Sequence, residues 1–193
     1  MNTLKAERRS MDVKAKKLRR EGFVTGNVFG REMKESIPVK MEKQAVDRLL
    51  KTSNKGSQII LDIDGEEYDV LIKDIEFNPL KGQVDEIDFQ ALVSNEKVHS
   101  VAEVVLINHD KITSGVLQLQ LEEIAFKALP ADLVDRIEID AGQLRVGDCI
   151  KVKDLDITKN KEIDLITDPE AIVVALTEVH NTAESDEAEE TAE

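Results

Sequence analysis

Residues 68–89 read YDVLIKDIEFNPLKGQVDEIDF, which is two segments of alternating apolar side chains on either side of a turn. From Tyr68 onward the apolar side chains recur with a period close to two, which is typical of a half-buried β-strand. The turn, residues 78–82, combines a proline that stops a strand with Asn and Gly, which tolerate positive φ. The apolar pattern then resumes and ends at Phe89. We predict a β-hairpin.

The sequence just upstream adds a third strand. Residues 58–63 alternate in the same way, and Asp64-Gly65 after them is the strongest two-residue hairpin signal in the chain. Residues 58–89 therefore predict a three-stranded antiparallel meander, on which the rest of a domain can be built.

Composition limits the class of protein. A chain of 193 residues accommodates two domains of about 90 residues each. Aromatic residues make up 3% of the chain, so a core must be built from Ile, Val and Leu, which favour strands where they are β-branched. The single cysteine excludes a disulfide framework and fits a reducing compartment. Because no run approaches the ~18 apolar residues of a membrane span and the N-terminus lacks a signal-peptide core, we expect a cytoplasmic protein with no membrane partner.

The net charge of −14 is distributed unevenly. Residues 1–20 hold eight basic and two acidic side chains, whereas residues 181–193 hold six acids and no base. This asymmetry predicts a basic arm for a polyanion and an acidic tail. The tail lacks large apolar side chains, so we expect it to be disordered.

The remaining segments predict short helices and many strands. A basic helix is predicted over residues 12–21, capped by Asp12 and ended by Gly22, and a second helix over residues 42–52. Pro38 predicts an edge strand. After residue 97 the pattern is nearly all strand, which predicts a small all-β domain. The predicted strands there are 101–107, 115–121, 124–128, 136–139, 149–152 and 172–176.

Residue patterns of catalytic sites are missing from the sequence. No phosphate-binding glycine motif is complete. His99, His109 and His180 each lack a second ligand at a suitable spacing, so we expect them to be exposed. Cys149 lies in a predicted strand without a nearby histidine, and we expect it to be buried and unreactive. We therefore predict no enzyme activity, no cofactor, no metal and no small-molecule substrate.

The basic run at the N-terminus has two interpretations. It is either a solvated helix face or a phosphate-binding surface, because Lys and Arg neutralise backbone phosphates and release counterions. The scarcity of aromatic residues argues against stacking on single-stranded bases. Contacts with a structured RNA by shape, phosphate and 2′-OH groups fit better.

The N-terminal half carries the motifs LKAERR, KAKKLRREG, VTGNVFG, IPVKM and IKDIEFNPLKGQVDEIDF in this order. With them it resembles the bacterial large-subunit ribosomal protein number twenty-five family. The C-terminal half, with LPADLVDRIEID followed by LRVGDCIKVKDL, is similar to the second β domain of the long, general stress protein Ctc-type members. The resemblance implies a mainly β (α+β) fold. Residues 1–92 would form a small 5S rRNA-binding β-barrel with two short helices, residues 93–180 an all-β domain and residues 181–193 the tail.

The resemblance also implies an RNA-binding surface. Arg9 matches an RNA-contacting arginine after the first strand, and the basic triplet of the first helix follows it. Phe29 stands where a tyrosine is usual, and Glu86 and Asp88 fall on the histidine and aspartate of the closing motif. The expected RNA-binding residues are Arg9, Lys14, Lys16, Lys17, Arg19, Arg20, Phe29, Glu86 and Asp88.

Departures from the family pattern lower the expected affinity. Phe29 lacks a hydroxyl donor, Glu86 places an acid near phosphates, and lysines at positions 16 and 17 lose bidentate geometry. Two lost hydrogen bonds of ~1 kcal/mol each, with repulsion at Glu86, would weaken RNA binding by tens of fold or more. Two functions therefore remain. One is a structural protein of the large ribosomal subunit, in contact with 5S rRNA and other subunit proteins. The other is a stress-related interaction protein of the same fold with weakened RNA binding, acting through protein partners.

Overall fold

The computed structural model describes residues 2–112 and 114–178. The predicted acidic tail and His180 lie outside the described residues. Most regular structure in the described part is β, as predicted. The first half contains β1 (Thr3–Arg8), α1 (Ala15–Arg20), β2 (Phe23–Phe29), β3 (Ile37–Glu42), α2 (Lys43–Leu49), β4 (Gln58–Ile63), β5 (Glu66–Asn78) and β6 (Gln83–Ala91). The second half contains β7 (Val98–Ile107), β8 (Val116–Leu119), β9 (Glu123–Ala128), β10 (Arg136–Asp140), β11 (Cys149–Lys151), β12 (Asp164–Leu165) and β13 (Ile172–Thr177).

The six strands of the first half close into a barrel in the order β1-β3-β2-β6-β5-β4. The meander predicted from residues 58–89 is confirmed, since β4 pairs antiparallel with β5 and β5 with β6. Two parallel pairings, β1 with β4 and β2 with β6, complete the barrel and were not predicted. Alternate residues of β4, namely Ile59, Leu61 and Ile63, are fully buried in its interior. The expected small β-barrel with two short helices is therefore confirmed.

The first helix is shorter than predicted. It begins after Lys14, so the prediction of Asp12 as its N-cap is wrong. The carboxylate of Asp12 instead accepts a hydrogen bond from Ser10 Oγ at 3.0 Å, within the preceding turn. Gly22 follows the helix with φ +90°, a left-handed conformation that suits glycine, as predicted. Leu18 is buried and attaches the otherwise polar helix to the barrel.

The edge-strand prediction from Pro38 is wrong, because β3 lies between β1 and β2. Pro38 is opposite Asn27 of β2, and on its other side Arg9 N donates to Pro38 O at 2.8 Å. The last residue of β1 that pairs with β3 is Arg8. The missing N–H of the proline therefore removes only the final hydrogen bond of the ladder between β1 and β3.

The second half forms two sheets around a second core. The strand orders are β10-β7-β9-β12 and β11-β13-β8. Phe126, Ile124 and Val173 are fully buried between them. The prediction of an all-β domain is confirmed, but the parallel pairing of β10 with β7 and the short β12 were not predicted. Five 3₁₀ helices connect the strands in the described part, at His109–Lys111, Pro130–Asp132, Ala141–Gln143, Val152–Asp154 and Asp156–Lys159.

Two expectations about reactive side chains have different outcomes. His99 and His109 are exposed, as expected. Cys149 is also exposed, so the prediction that it is buried is wrong. It begins β11, which has three residues and lies at the edge of its sheet, where the β-pattern of the sequence does not imply burial.

Candidate nucleic-acid interface

Helix α1 presents its basic side chains to solvent. Lys14, Lys16, Lys17 and Arg20 are exposed. Only Lys17 among them forms an ion pair within the described residues, with Glu21 at 3.9 Å, and both of these side chains are largely solvated. Such a surface pair contributes little, so Lys17 remains available to a stronger partner. The helix and its N-cap residue Lys14 therefore offer four cations to a polyanion.

Arg19 differs from the other basic residues of α1 because its side chain is only 25% exposed. Its Nε donates to the backbone oxygen of Asp85 at 3.1 Å, and its Nη2 lies 3.2 Å from Glu86 Oε2. These contacts fix the helix to β6. They also bring together two predicted site residues that are far apart in the sequence.

The Arg9 side chain is turned inward on its own loop. It is half-buried, and Nη2 donates to the backbone oxygen of Val13 at 3.1 Å. Its Nε is buried and has no hydrogen-bond partner among the described residues. Arg9 therefore shapes the loop that leads into α1 and keeps one donor unused.

The outer face of β5 and β6 is acidic. Glu86 lies directly opposite Glu76, and Asp88 lies opposite Asp74. Opposed residues of neighbouring strands point to the same face, and like charges in such positions repel each other. Two of these four carboxylates form ion pairs within the part of the chain that the structure describes, Glu86 with Arg19 and Asp74 with Lys55. Asp74 has a more distant cation, with Lys55 Nζ at 3.5 Å from its Oδ1.

The two ion pairs lie on different sides of this acidic face. Asp74 pairs with Lys55 at the side of the barrel that meets the second half, whereas Glu86 pairs with the basic helix. Glu76 and Asp88 are without an ion pair in residues 2–112 and 114–178. The face beside α1 therefore contains two unneutralised carboxylates, which accept hydrogen bonds and repel phosphates.

Asp88 and Phe29 lie on the same outer face, where β2 runs beside β6. Asp88 is opposite Asn27, and its Oδ1 accepts a hydrogen bond from the Asn27 backbone N–H at 3.3 Å. Phe29 is two residues further along β2, opposite Gln90, and is 38% exposed. Because alternate residues of a strand share a face, the ring of Phe29 lies on the same side as Asn27.

Arg9 belongs to the same row of paired residues as Asp88. The row passes from Arg9 through Pro38 and Asn27 to Asp88 across three strand boundaries. At ~4.8 Å for each strand boundary, the backbone of Arg9 lies about 14 Å from the backbone of Asp88. The structure therefore places Arg9, Phe29 and Asp88 along neighbouring strands of the barrel and joins the basic helix to the acidic sheet through Arg19 and Glu86.

Sequence reasoning missed Asp85. Glu76 pairs with Glu86 and Phe77 with Val84, so Asp85 is the extra residue of a β-bulge. Its carboxylate accepts hydrogen bonds from Asn78 Nδ2 at 3.0 Å and Gln83 Nε2 at 3.1 Å, and the first of these contributes most to lowering its pKa.

The bulge has a function in the site because it directs the backbone oxygen of Asp85 toward Arg19. A sequence signal for it existed. Buried Val84 and Ile87 are three residues apart, which breaks the period of two that an unbroken strand requires.

Other kinds of site have less support. No group of three His, Cys, Asp or Glu side chains in the described residues could hold a metal ion. No helix in residues 2–112 or 114–178 is long and apolar enough to cross a membrane. The exposed cations can bind phosphates, and the sheet carboxylates can accept hydrogen bonds from amino or hydroxyl groups.

Comparison with known proteins identifies the family. Residues 4–89 match the Ribosomal L25p family, and residues 97–180 match the C-terminal domain of ribosomal protein TL5. The large ribosomal subunit protein bL25 of Dictyoglomus thermophilum is 35% identical over 168 residues, which cover 83% of this chain and 80% of the relative. The protein of the same name from Bacillus velezensis is 29% identical over 194 residues, which cover 98% and 94%. These relatives are ribosomal proteins and not enzymes. The chain belongs to the bL25 family of ribosomal proteins.

Proposed function

We propose that this chain is a structural protein of the large ribosomal subunit that binds 5S rRNA through its N-terminal barrel. The observation that carries the proposal is the set of four exposed cations on α1 beside the outer face of β2 and β6. The family membership supports the ribosomal role, and the resemblance of the site residues supports the choice of RNA. The protein would reside in the cytoplasm, next to other large-subunit proteins.

The two parts of the surface would have different tasks. Lys14, Lys16, Lys17 and Arg20 would contact phosphates, because exposed cations gain affinity by releasing counterions from the RNA. The carboxylate of Asp88 accepts hydrogen bonds only, so it would meet a base amino group or a 2′-OH. The ring of Phe29 would pack against a ribose or base at the edge of the contact. The helix would thus supply affinity, and the sheet would set the register.

The ion pair between Arg19 and Glu86 changes the expected effect of the acid at position 86. Because Arg19 neutralises Glu86, repulsion of phosphates is smaller than the sequence alone implies. The same pair takes Arg19 away from the RNA, since a guanidinium held by a carboxylate and a backbone oxygen has fewer free donors. RNA binding would therefore depend more on the four exposed cations.

A salt titration of the full chain with 5S rRNA tests the proposal. Binding is expected to weaken between about 50 and 200 mM salt, with a slope that reflects several phosphate contacts. The triple variant Lys14→Gln, Lys16→Gln, Arg20→Gln should lower this slope by about one for each cation removed.

The matched control removes three exposed cations from the second half of the chain. Lys111→Gln, Arg145→Gln, Lys161→Gln produces the same change in net charge, and these side chains form no ion pair within the described residues. It should leave the slope close to that of the natural chain. Absence of salt-sensitive binding at about 50 mM salt would exclude the proposal and favour the alternative of a stress-related protein with protein partners, which the comparisons do not support.

A further inference from the structure

The two sheets of the second half leave four edge strands, and three of them are protected against pairing with another chain. Natural proteins protect edges with charges, short strands or bulges. Strand β10 carries Arg136, Glu138 and Asp140. Strand β12 has two residues, and β11 has three with a register shift between Ile150 and Lys151. Each of these edges is therefore a poor template for a further strand.

Strand β8 is the unprotected edge. It pairs with β13 on one side and with no other strand in the described part of the chain. Residues 116–121 read VLQLQL and carry no charge, in a chain of which 34% is charged. Val116 is 44% exposed. An uncharged, free strand edge of this kind can accept another strand.

The hydrogen bonds of β13 show which of its residues face away from β8. Leu176 N donates to Asp148 O at 3.0 Å, and Gly147 N donates to Leu176 O at 2.7 Å. Leu176 thus uses both backbone groups on the side of β11. Since these groups alternate along a strand, its neighbours Ala175 and Thr177 direct theirs toward β8.

The free backbone groups of β8 follow from this register. Gln118 is opposite Ala175 and forms the hydrogen-bonded pair, while Gln120 N donates to Val173 O at 2.9 Å. Leu117 and Leu119, which alternate with them, direct their N–H and C=O groups away from β13. These groups have no backbone partner among the described residues. The edge therefore offers two donors and two acceptors at the spacing of a β-ladder.

The side chains of Leu117 and Leu119 add an apolar component. Both are half-buried and pack against the second core. An added strand would cover the part of them that remains exposed. Gln118 lies on the opposite, exposed face, so the added strand would have one apolar and one polar face.

The charge of the surrounding domain indicates the partner. Residues 93–178 contain seventeen acidic and nine basic side chains. A second copy of this chain would bring the same excess of negative charge, which opposes self-association. We propose that β8 is the docking edge for an extended, positively charged peptide segment of a partner protein, which adds to the sheet beside β8. This interaction is separate from RNA binding by the barrel.

A synthetic peptide of about nine residues that alternates lysine with valine serves as the probe, with the full-length chain. Fluorescence anisotropy is expected to give saturable binding. Amide exchange measured by NMR should show Leu117 and Leu119 exchanging rapidly in the free chain and about tenfold more slowly with the peptide. The Gln118 amide, which already pairs with β13, should change little. Protection that appears elsewhere on the chain, without Leu117 and Leu119, would overturn the assignment.

Two control peptides separate the backbone contribution from the charge contribution. N-methylation at alternate residues removes the donors of the ladder, and glutamate in place of lysine reverses the charge. The affinity of each control peptide is expected to be lower by at least about tenfold, because several hydrogen bonds or attractive charges are lost. Equal binding of the glutamate peptide would overturn the proposed basic partner.

Leu119→Pro tests the edge within the chain. The N–H of Leu119 points outward, so proline leaves the ladder to β13 intact and blocks the approach of a strand. A folded variant, checked by its melting temperature, should lose about tenfold in affinity for the lysine–valine peptide. If it does not fold, Gln118→Lys should weaken and Gln118→Glu should strengthen binding through the exposed face. Unchanged affinity, or concentration-dependent protection of Leu117 without peptide, would overturn the proposal.

Discussion

Arg19 Nη2 lies 3.2 Å from Glu86 Oε2, and this ion pair joins the basic helix to the acidic sheet. It unites a residue expected to bind RNA with the residue expected to repel it. The two side chains are 25% and 30% exposed, so their interaction is screened less than that of a fully solvated pair. An RNA that binds as proposed would therefore meet a surface on which one cation and one anion are already neutralised.

The first prediction concerns Glu86→Gln. Glutamine retains an acceptor for Arg19 but removes the negative charge, so the guanidinium becomes available to a phosphate. We expect 5S rRNA affinity to increase by about fivefold, equivalent to about 1 kcal/mol, with a salt slope steeper by about one. A salt titration measures both quantities.

Glu76→Gln is the matched control for this prediction. It removes the same negative charge from Glu76, which lies directly opposite Glu86. Glu76 itself forms no ion pair with Arg19. If both variants bind RNA equally well, the effect arises from the general negative field of the sheet and not from the release of Arg19.

The second prediction concerns Phe29→Ala. The exposed ring at the end of β2 would lose its contact with the RNA, and we expect affinity to fall by about tenfold, since stacking contributes ~1–3 kcal/mol for each base. Stability should change little because the side chain is 38% exposed. Phe77→Ala is the control, since Phe77 is another exposed ring on the barrel, at 59%. Equal losses for the two variants would show that Phe29 has no specific part in binding.

Much of the barrel could be predicted because its signals are local. The turn at residues 78–82 and the alternation of β4 specify the meander within about thirty consecutive residues. The pairing of β2 with β6 could not be predicted, because an alternating pattern identifies a buried face but not the partner strand. The N-cap of α1 was misplaced because Ser10 and Asp12 bind each other, a short-range competition that a capping rule does not resolve.

The residues of the candidate site could be predicted from the sequence, but the contacts between them could not. The exposed cations of α1 follow from the basic run alone. The contact of Arg19 with Glu86 spans 67 positions in the sequence and depends on the bulge at Asp85, which turns its carbonyl toward the helix. A count of charges could not show that Arg19 is already paired with a carboxylate of the protein.

The third prediction compares two glycines that both have positive φ. Gly56 has φ +87°, and a Cβ added there would lie 2.0 Å from the backbone oxygen of Val101. Gly65 has φ +93°, and an added Cβ would meet nothing within 4 Å. Gly65→Ala should therefore lower the free energy of unfolding by about 1 kcal/mol through backbone strain alone. Gly56→Ala should lower it by at least about 2 kcal/mol, because the clash is with backbone that cannot rotate away. Chemical denaturation measures both, and similar losses would mean that the contact with Val101 adapts.

The fourth prediction concerns pH. Glu170 accepts hydrogen bonds from Lys153 Nζ at 2.8 Å and Lys151 Nζ at 2.9 Å, and these bonds, Lys153 first, lower its pKa from 4.5 to about 2. Because the pKa is lower in the folded state, the charged carboxylate stabilises the fold above pH 4.5, and this contribution is lost as the pH falls from 4.5 toward about 2. Glu170→Gln should therefore lower the melting temperature at about pH 6. As the pH falls toward about 2, the melting temperatures of the variant and the natural chain should converge.

The difference at neutral pH should be small and should decrease with added salt, because the Glu170 side chain is 61% exposed. Glu162→Gln makes the same charge change at an exposed carboxylate without an ion pair in the described residues, and it should lower the melting temperature at about pH 6 less than Glu170→Gln does. A melting-temperature difference for Glu170→Gln that persists unchanged at the lowest pH would mean that the glutamate stabilises the fold by its shape and not by its charge.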